Sequence, residues 1–102
     1  IDDLGIQDIG FIKIDVEGHE AAVLRGAHAT LKRDRPNLFI EAEQAHVGDR
    51  VADVFRQLSD LGYDGYFLDM GVLRNISRFS AADRQSDRDA PSYVKNFIFI
   101  PR

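Results

Sequence analysis

Apolar residues fall along the chain in four short runs and two helical stripes. The first run, Gly10 to Val16, is rich in β-branched and aromatic residues. Phe11, Ile12, Ile14 and Val16 make it apolar on both sides, the pattern of a strand buried on both faces of a parallel sheet. Gly18 breaks it, and His19 to about Arg33 favours helix. Val23, Ala27 and Leu31 recur at i, i+4, i+8, and Leu24 adds the i, i+3, i+7 set with Ala27 and Leu31. Lys32, Arg33 and Arg35 gather at the far end, where cations complement the helix dipole, and Pro36 stops the helix. Asn37 to Glu43, with Leu38, Phe39 and Ile40 consecutive, reads as a second buried strand.

Gly48-Asp49 is expected to open a second helix, with Asp49 as its N-cap. Val51, Val54, Phe55, Leu58 and Leu61 form its stripe, and Gly62 ends it. Tyr63 to Leu68 reads as a third strand and Asp69-Met70-Gly71 as a turn. Arg74 to Ser92 is polar and reads as a loop of about 20 residues, long for a compact domain. Its Ser80–Asp89 stretch is expected to be solvated. Tyr93 to Ile100 is a final strand, with Phe97 to Ile100 packed on both faces. The order is strand, helix, strand, helix, strand, loop, strand. Its first half favours a parallel sheet with right-handed crossovers, and its end an antiparallel pair.

Composition narrows the functional classes. The chain has 102 residues, 44% hydrophobic and 29% charged, as expected of one ordinary globular domain. It has no cysteine, which excludes disulfides, zinc-thiolate and iron–sulfur sites and a Cys nucleophile. Thirteen Lys and Arg against seventeen Asp and Glu give a net charge of −4, which disfavours a dedicated nucleic-acid module. No apolar run approaches the roughly 20 residues of a membrane span. No charged-then-apolar leader stretch is visible, so a cytoplasmic location is expected. The first residue is Ile1, which suggests a piece of something longer.

The densest polar cluster is Asp15-Val16-Glu17-Gly18-His19-Glu20, four ionisable groups in six residues. It falls where the first strand meets the first helix, and open α/β sheets bind ligands at the carboxyl ends of their strands. Asp15 and Glu17 share one side of an extended strand, and Gly18 permits a sharp turn or close approach to a ligand. Glu20 is first explained by the helix dipole. Glu41 ends the second strand and lies beside Asp15 where the two strands are adjacent. Carboxylates paired there suit a metal, a general base or a hydroxyl. Glu43 is expected to be a solvated charge, His28 a surface helix residue and His46 a loop residue. Neither the zinc-protease spacing nor a nucleophile elbow, a P-loop or a GxGxxG turn occurs.

Phe11-Ile12-Lys13-Ile14-Asp15-Val16-Glu17-Gly18-His19-Glu20, followed by Val23-Leu24-Arg25-Gly26-Ala27, resembles the signature of the FkbM-type S-adenosylmethionine-dependent methyltransferases. Arg35-Pro36 before Leu38-Phe39-Ile40-Glu41, Leu61-Gly62-Tyr63, and Asn96 to Pro101 agree with it. The resemblance implies an α/β fold, the C-terminal half of a Rossmann-like class I methyltransferase domain. Its sheet would be mostly parallel, with an antiparallel final strand pair, and these strands would be the fourth to seventh of seven. The glycine-rich turn and ribose-binding acid that hold S-adenosylmethionine would then precede Ile1. The implied chemistry is methyl transfer to a hydroxyl of a sugar, glycan or polyketide-like acceptor. Asp15, Glu17 and His19 are the catalytic candidates, Asp15 leading as base or orienting group. Gly18, Glu20 and Glu41 are expected on the acceptor side, and Asp15 weakly on the cofactor side. No resident metal is expected, although Mg²⁺ stays open. The alternatives are a non-catalytic module that dimerises through the exposed first strand edge, and a Mg²⁺-dependent carboxylate-based transferase.

Overall fold

The computed structural model describes residues 1–43, 51–79, 85, 89–91 and 93–102. Its elements are β1 (Phe11–Ile14), α1 (Glu20–Arg25), α2 (His28–Asp34), β2 (Asn37–Glu41), α3 (Val51–Asp60), β3 (Tyr63–Asp69), β4 (Val72–Asn75) and β5 (Asn96–Pro101). The strands form one mixed sheet in the order β1-β2-β5-β3-β4. Among the described residues, only β1 and β2 pair in parallel, with Ile14 opposite Ile40.

The expected mostly parallel sheet is thus corrected: it is mostly antiparallel. The reason is where the last strand goes. β5 inserts between β2 and β3 and runs antiparallel to both, pairing Leu38 with Phe99 and Phe67 with Phe97. The expected antiparallel end pair is the β3–β5 pairing. A fifth strand, β4, pairs with β3 through the turn at Met70 and Gly71, and adds a third antiparallel ladder. Met70 and Gly71 both have positive φ, at 49° and 87°, as a two-residue hairpin turn with right-handed strand twist requires. The long loop therefore begins later than Arg74, after β4 and the helical turn Ile76–Arg78.

The expected single first helix is two. Gly26 interrupts it, with Ala27 N–H tightening onto Leu24 O. The N-terminal segment fills the break. Asp2 N–H donates to Gly26 O at 3.0 Å, and the Asp2 carboxylate caps α2 by accepting from the Ala29 and Thr30 N–H groups. A distant carboxylate thereby does the N-cap's work. The α3 stripe is as expected, with Val51, Val54 and Leu58 buried, and Gly62 ends the helix at φ 83°. Asp49, Gly48 and His46 lie outside the described residues, as does most of Ser80–Asp89.

Burial follows the strand period on one face only. Ile14, Leu38, Ile40, Phe67, Phe97 and Phe99 join Ala21, Leu24, Leu31, Val54 and Leu58 in one core beneath the helices. Phe55 and Phe79 close that core edge-to-face on Phe97, at 5.0 and 5.1 Å between ring centres. The other face is bare. Phe11, Leu68, Leu73 and Ile100 are exposed there, between 44% and 62%, and Phe39, Tyr66 and Ile98 are half-covered. The expected burial of the first and last strands on both faces is therefore corrected: among the described residues, no element covers that second face.

Candidate active site

The parallel register that sets Ile14 against Ile40 carries the next residue of each strand, Asp15 and Glu41, to the same end of the sheet. Asp15 is near enough to Glu41 to contribute to the shift of its carboxyl. On its other side, Glu41 Oε1 lies 2.9 Å from Lys95 Nζ. Lys95 arrives there because β5 runs antiparallel to β2, so the residue before β5 meets the carboxyl end of β2. The Lys95 hydrogen bond holds the Glu41 carboxyl below its ordinary range. Partial burial opposes this, while the charge of Lys95, the nearby Asp15 and the charge of Lys13 add to it.

Asp15 and Glu41 are thus brought together, as the sequence led us to expect. Asp15 and Glu17 do not share a strand side, which corrects that expectation. β1 ends at Ile14, and Glu17 takes a left-handed conformation at φ 48° that turns the chain. Such backbone is uncommon outside glycine. Gly18 follows at φ 99°, buried, in the sharp turn expected of it. Glu17 and His19 are exposed, and His19 is the N-cap residue of α1 with no side-chain cap bond.

Glu20 is buried at 2%, and its Oε2 accepts from Gly18 N–H at 2.9 Å. It tightens the turn between the strand end and the helix, which is more than a dipole contact. Its carboxylate points back into the turn. Glu43 is not solvated: it is 4% exposed and accepts a hydrogen bond from the Tyr93 hydroxyl. The chain needs this because a buried carboxylate without a partner is costly. Gln85, also buried, donates through Nε2 to Ala42 O and Val94 O, both at 2.8 Å. His28 is exposed at the start of α2, as expected.

Lys95, Tyr93 and Gln85 were not among the expected site residues. Lys95 carried one readable signal, its place directly before a closing strand. For Tyr93 and Gln85 the sequence offers none. Among the described residues, no three His, Cys, Asp or Glu side chains gather as metal ligands, and no helix is long and apolar enough to cross a membrane.

A family model of the methyltransferase FkbM domain matches residues 1–64, which hold the whole Asp15–Glu20 turn and Glu41. The chain belongs to that family, and its domain is a methyltransferase domain. No curated protein and no solved structure matches the chain. Methyltransferases of this kind use S-adenosylmethionine. The described residues do not by themselves make its site. The donor set is a carboxyl pair with one lysine, and Asp15 lines neither the cavity of about 400 Å³ between α2 and α3 nor that of about 250 Å³ on the bare sheet face.

Proposed function

We propose that this chain is the C-terminal half of a Rossmann-like S-adenosylmethionine-dependent O-methyltransferase domain. In this reading Asp15 faces a hydroxyl of a sugar, glycan or polyketide-like acceptor. The observation that carries it is the Asp15–Glu41 carboxyl pair at the ends of two adjacent parallel strands, directly before the turn into α1. Ligands of open α/β sheets sit at that end. Strand β5, antiparallel between β2 and β3, supports the Rossmann-like reading. The free edge of β1 and the bare apolar face support the view that further strands and helices complete the sheet. A cofactor-binding half preceding Ile1 would supply both.

In such a domain the cofactor contributes the methyl group, and the residues of this chain orient the acceptor and take its proton. Asp15 is the base or orienting group. The exposed Glu17 and His19 stand next to it, and Gly18 gives the turn its shape. Mg²⁺ is not required by this reading. The test is methyl transfer by the full-length parent from labelled S-adenosylmethionine to glycan and polyketide acceptors. Asp15→Asn is expected to lower turnover by orders of magnitude with the fold intact, and unchanged turnover sinks the assignment.

A second reading rests on the edge itself. Among the described residues β1 has a hydrogen-bonded neighbour on one side only, and Phe11 is 62% exposed. Such an edge is a template for strand pairing, which would make the chain a homodimerising module. The reading frame upstream of Ile1 separates the two. A strand followed by a glycine-rich turn favours the enzyme, and an unrelated domain favours the module.

A further inference from the structure

The cavity between α2 and α3 shares no residue with the Asp15–Glu41 end of the sheet. It holds about 400 Å³ and is lined by His28, Lys32, Arg35, Gln57, Asp60 and Leu61. Small-molecule sites usually measure roughly 300–1,000 Å³. Helical spacing places these groups. His28 and Lys32 lie one turn apart on α2, and Gln57 and Asp60 lie three residues apart on α3, so each pair shares a helix face.

The charge of the cavity is one-sided. Lys32 and Arg35 are cations, and His28 offers a ring N–H in either protonation state. Asp60 alone opposes them. Among the described residues, the side chains of His28, Lys32 and Asp60 make no hydrogen bond or ion pair. Arg35 is the fixed member. It donates to the Leu61 and Gly62 carbonyls and lies over the Tyr63 ring, which holds its charge at the cavity and leaves its other N–H groups for a ligand. Gln57 spends one amide N–H on Ala21 O at 3.3 Å and keeps its carbonyl oxygen.

A phosphate monoester matches one wall of this cavity. Its terminal oxygens take Lys32 as a point charge and the Arg35 fork through directed N–H groups. The other wall carries the Asp60 carboxylate and the Gln57 carbonyl, both acceptors, which suit hydroxyl groups. Asp60 also repels a bare anion placed on its side. We propose that the α2–α3 cavity binds a small phosphorylated, hydroxylated molecule of the sugar-phosphate class. Lys32, His28 and Arg35 hold its phosphate, and Asp60 and Gln57 take its hydroxyls. The site is independent of the proposed methyl transfer and stands or falls by its own test.

The test is calorimetry on the full-length parent at neutral pH and constant ionic strength, with ribose 5-phosphate, ribose and inorganic phosphate as probes. Ribose 5-phosphate is expected to bind saturably at millimolar concentration or below, inorganic phosphate more weakly, and ribose not at all. Lys32→Met is expected to weaken the binding about tenfold, the loss of one charge-assisted hydrogen bond, and Lys32→Arg to keep most of it. Arg56→Met removes an exposed cation of α3 that does not line the cavity, and should leave binding unchanged. Lys32 is exposed as well, and circular dichroism checks that each variant folds. In NMR spectra the His28 ring signals, assigned with His28→Gln, are expected to shift as ribose 5-phosphate is added, while those of His19 stay. No saturable binding, equal binding by Lys32→Met and wild type, or equal weakening in Arg56→Met overturns the proposal. Inorganic phosphate that binds as tightly as ribose 5-phosphate overturns the sugar-phosphate assignment.

Discussion

The ring of Phe99 stands where a side chain at Gly65 would have to go. A Cβ built on Gly65 would lie 2.5 Å from Phe99 Cε1 and 2.7 Å from Ile76 Cδ1. Phe99 is 1% exposed and packs against Phe55, so its ring has nowhere to retreat. Gly65→Ala is therefore expected to destabilise the fold by about 1–3 kcal/mol. Urea unfolding checks it, with a lower midpoint at unchanged slope.

Arg35 closes the end of α3. Its guanidinium donates to the Leu61 and Gly62 carbonyls and lies 4.9 Å from the centre of the Tyr63 ring. Arg35→Met is expected to lose about 2 kcal/mol, the usual loss for a charged donor to part-buried carbonyls. Arg35→Lys should recover little of it, because a single ammonium cannot bridge both carbonyls and stack on the ring. Thermal melts of both variants decide this.

Asp34 ties the N-terminal segment to α2. It accepts from Arg33 Nε at 2.7 Å and from Ile9 N–H at 3.1 Å. The Arg33 hydrogen bond, aided by the Ile9 N–H, lowers its carboxyl to about 2. A folded value below the unfolded one gives stability that is present above about pH 4 and lost as the pH falls toward 2. Asp2 is lowered in the same direction, chiefly by Thr30. Melting between pH 5 and 2 should fall less steeply in Asp34→Asn than in wild type. Parallel curves would show that Asp34 does not contribute.

Glu17 occupies left-handed backbone at φ 48°, a conformation that costs a non-glycine residue about 1 kcal/mol. Glu17→Gly is expected to stabilise the fold by up to about 1 kcal/mol and to lower methyl transfer. A gain in stability with full activity would show that the Glu17 carboxylate plays no part in the site.

Local signals read correctly where one residue governs one bond rotation. Gly62 ends α3 and Gly71 turns the β3–β4 hairpin, both at positive φ, and Pro36 follows a helix that stops at Asp34. The meeting of Asp15 with Glu41 was legible because it needs only two adjacent parallel strands in register. The burial of Glu20 and Glu43 was not legible for one physical reason: sequence shows a charge but not its partner. Gly18 N–H and the Tyr93 hydroxyl make their burial tolerable, one from two residues away and the other from fifty.

By itself the sequence determined the family, the β-α-β start, the α3 stripe and the acidic turn, since all of these depend on periodicity or on short contiguous motifs. Tertiary structure alone decided the rest. Inserting β5 between β2 and β3 made the sheet mostly antiparallel, brought Lys95 to Glu41 and left one apolar face bare. Those outcomes depend on which distant segments hydrogen-bond to each other, and alternation along a strand carries no record of its neighbour.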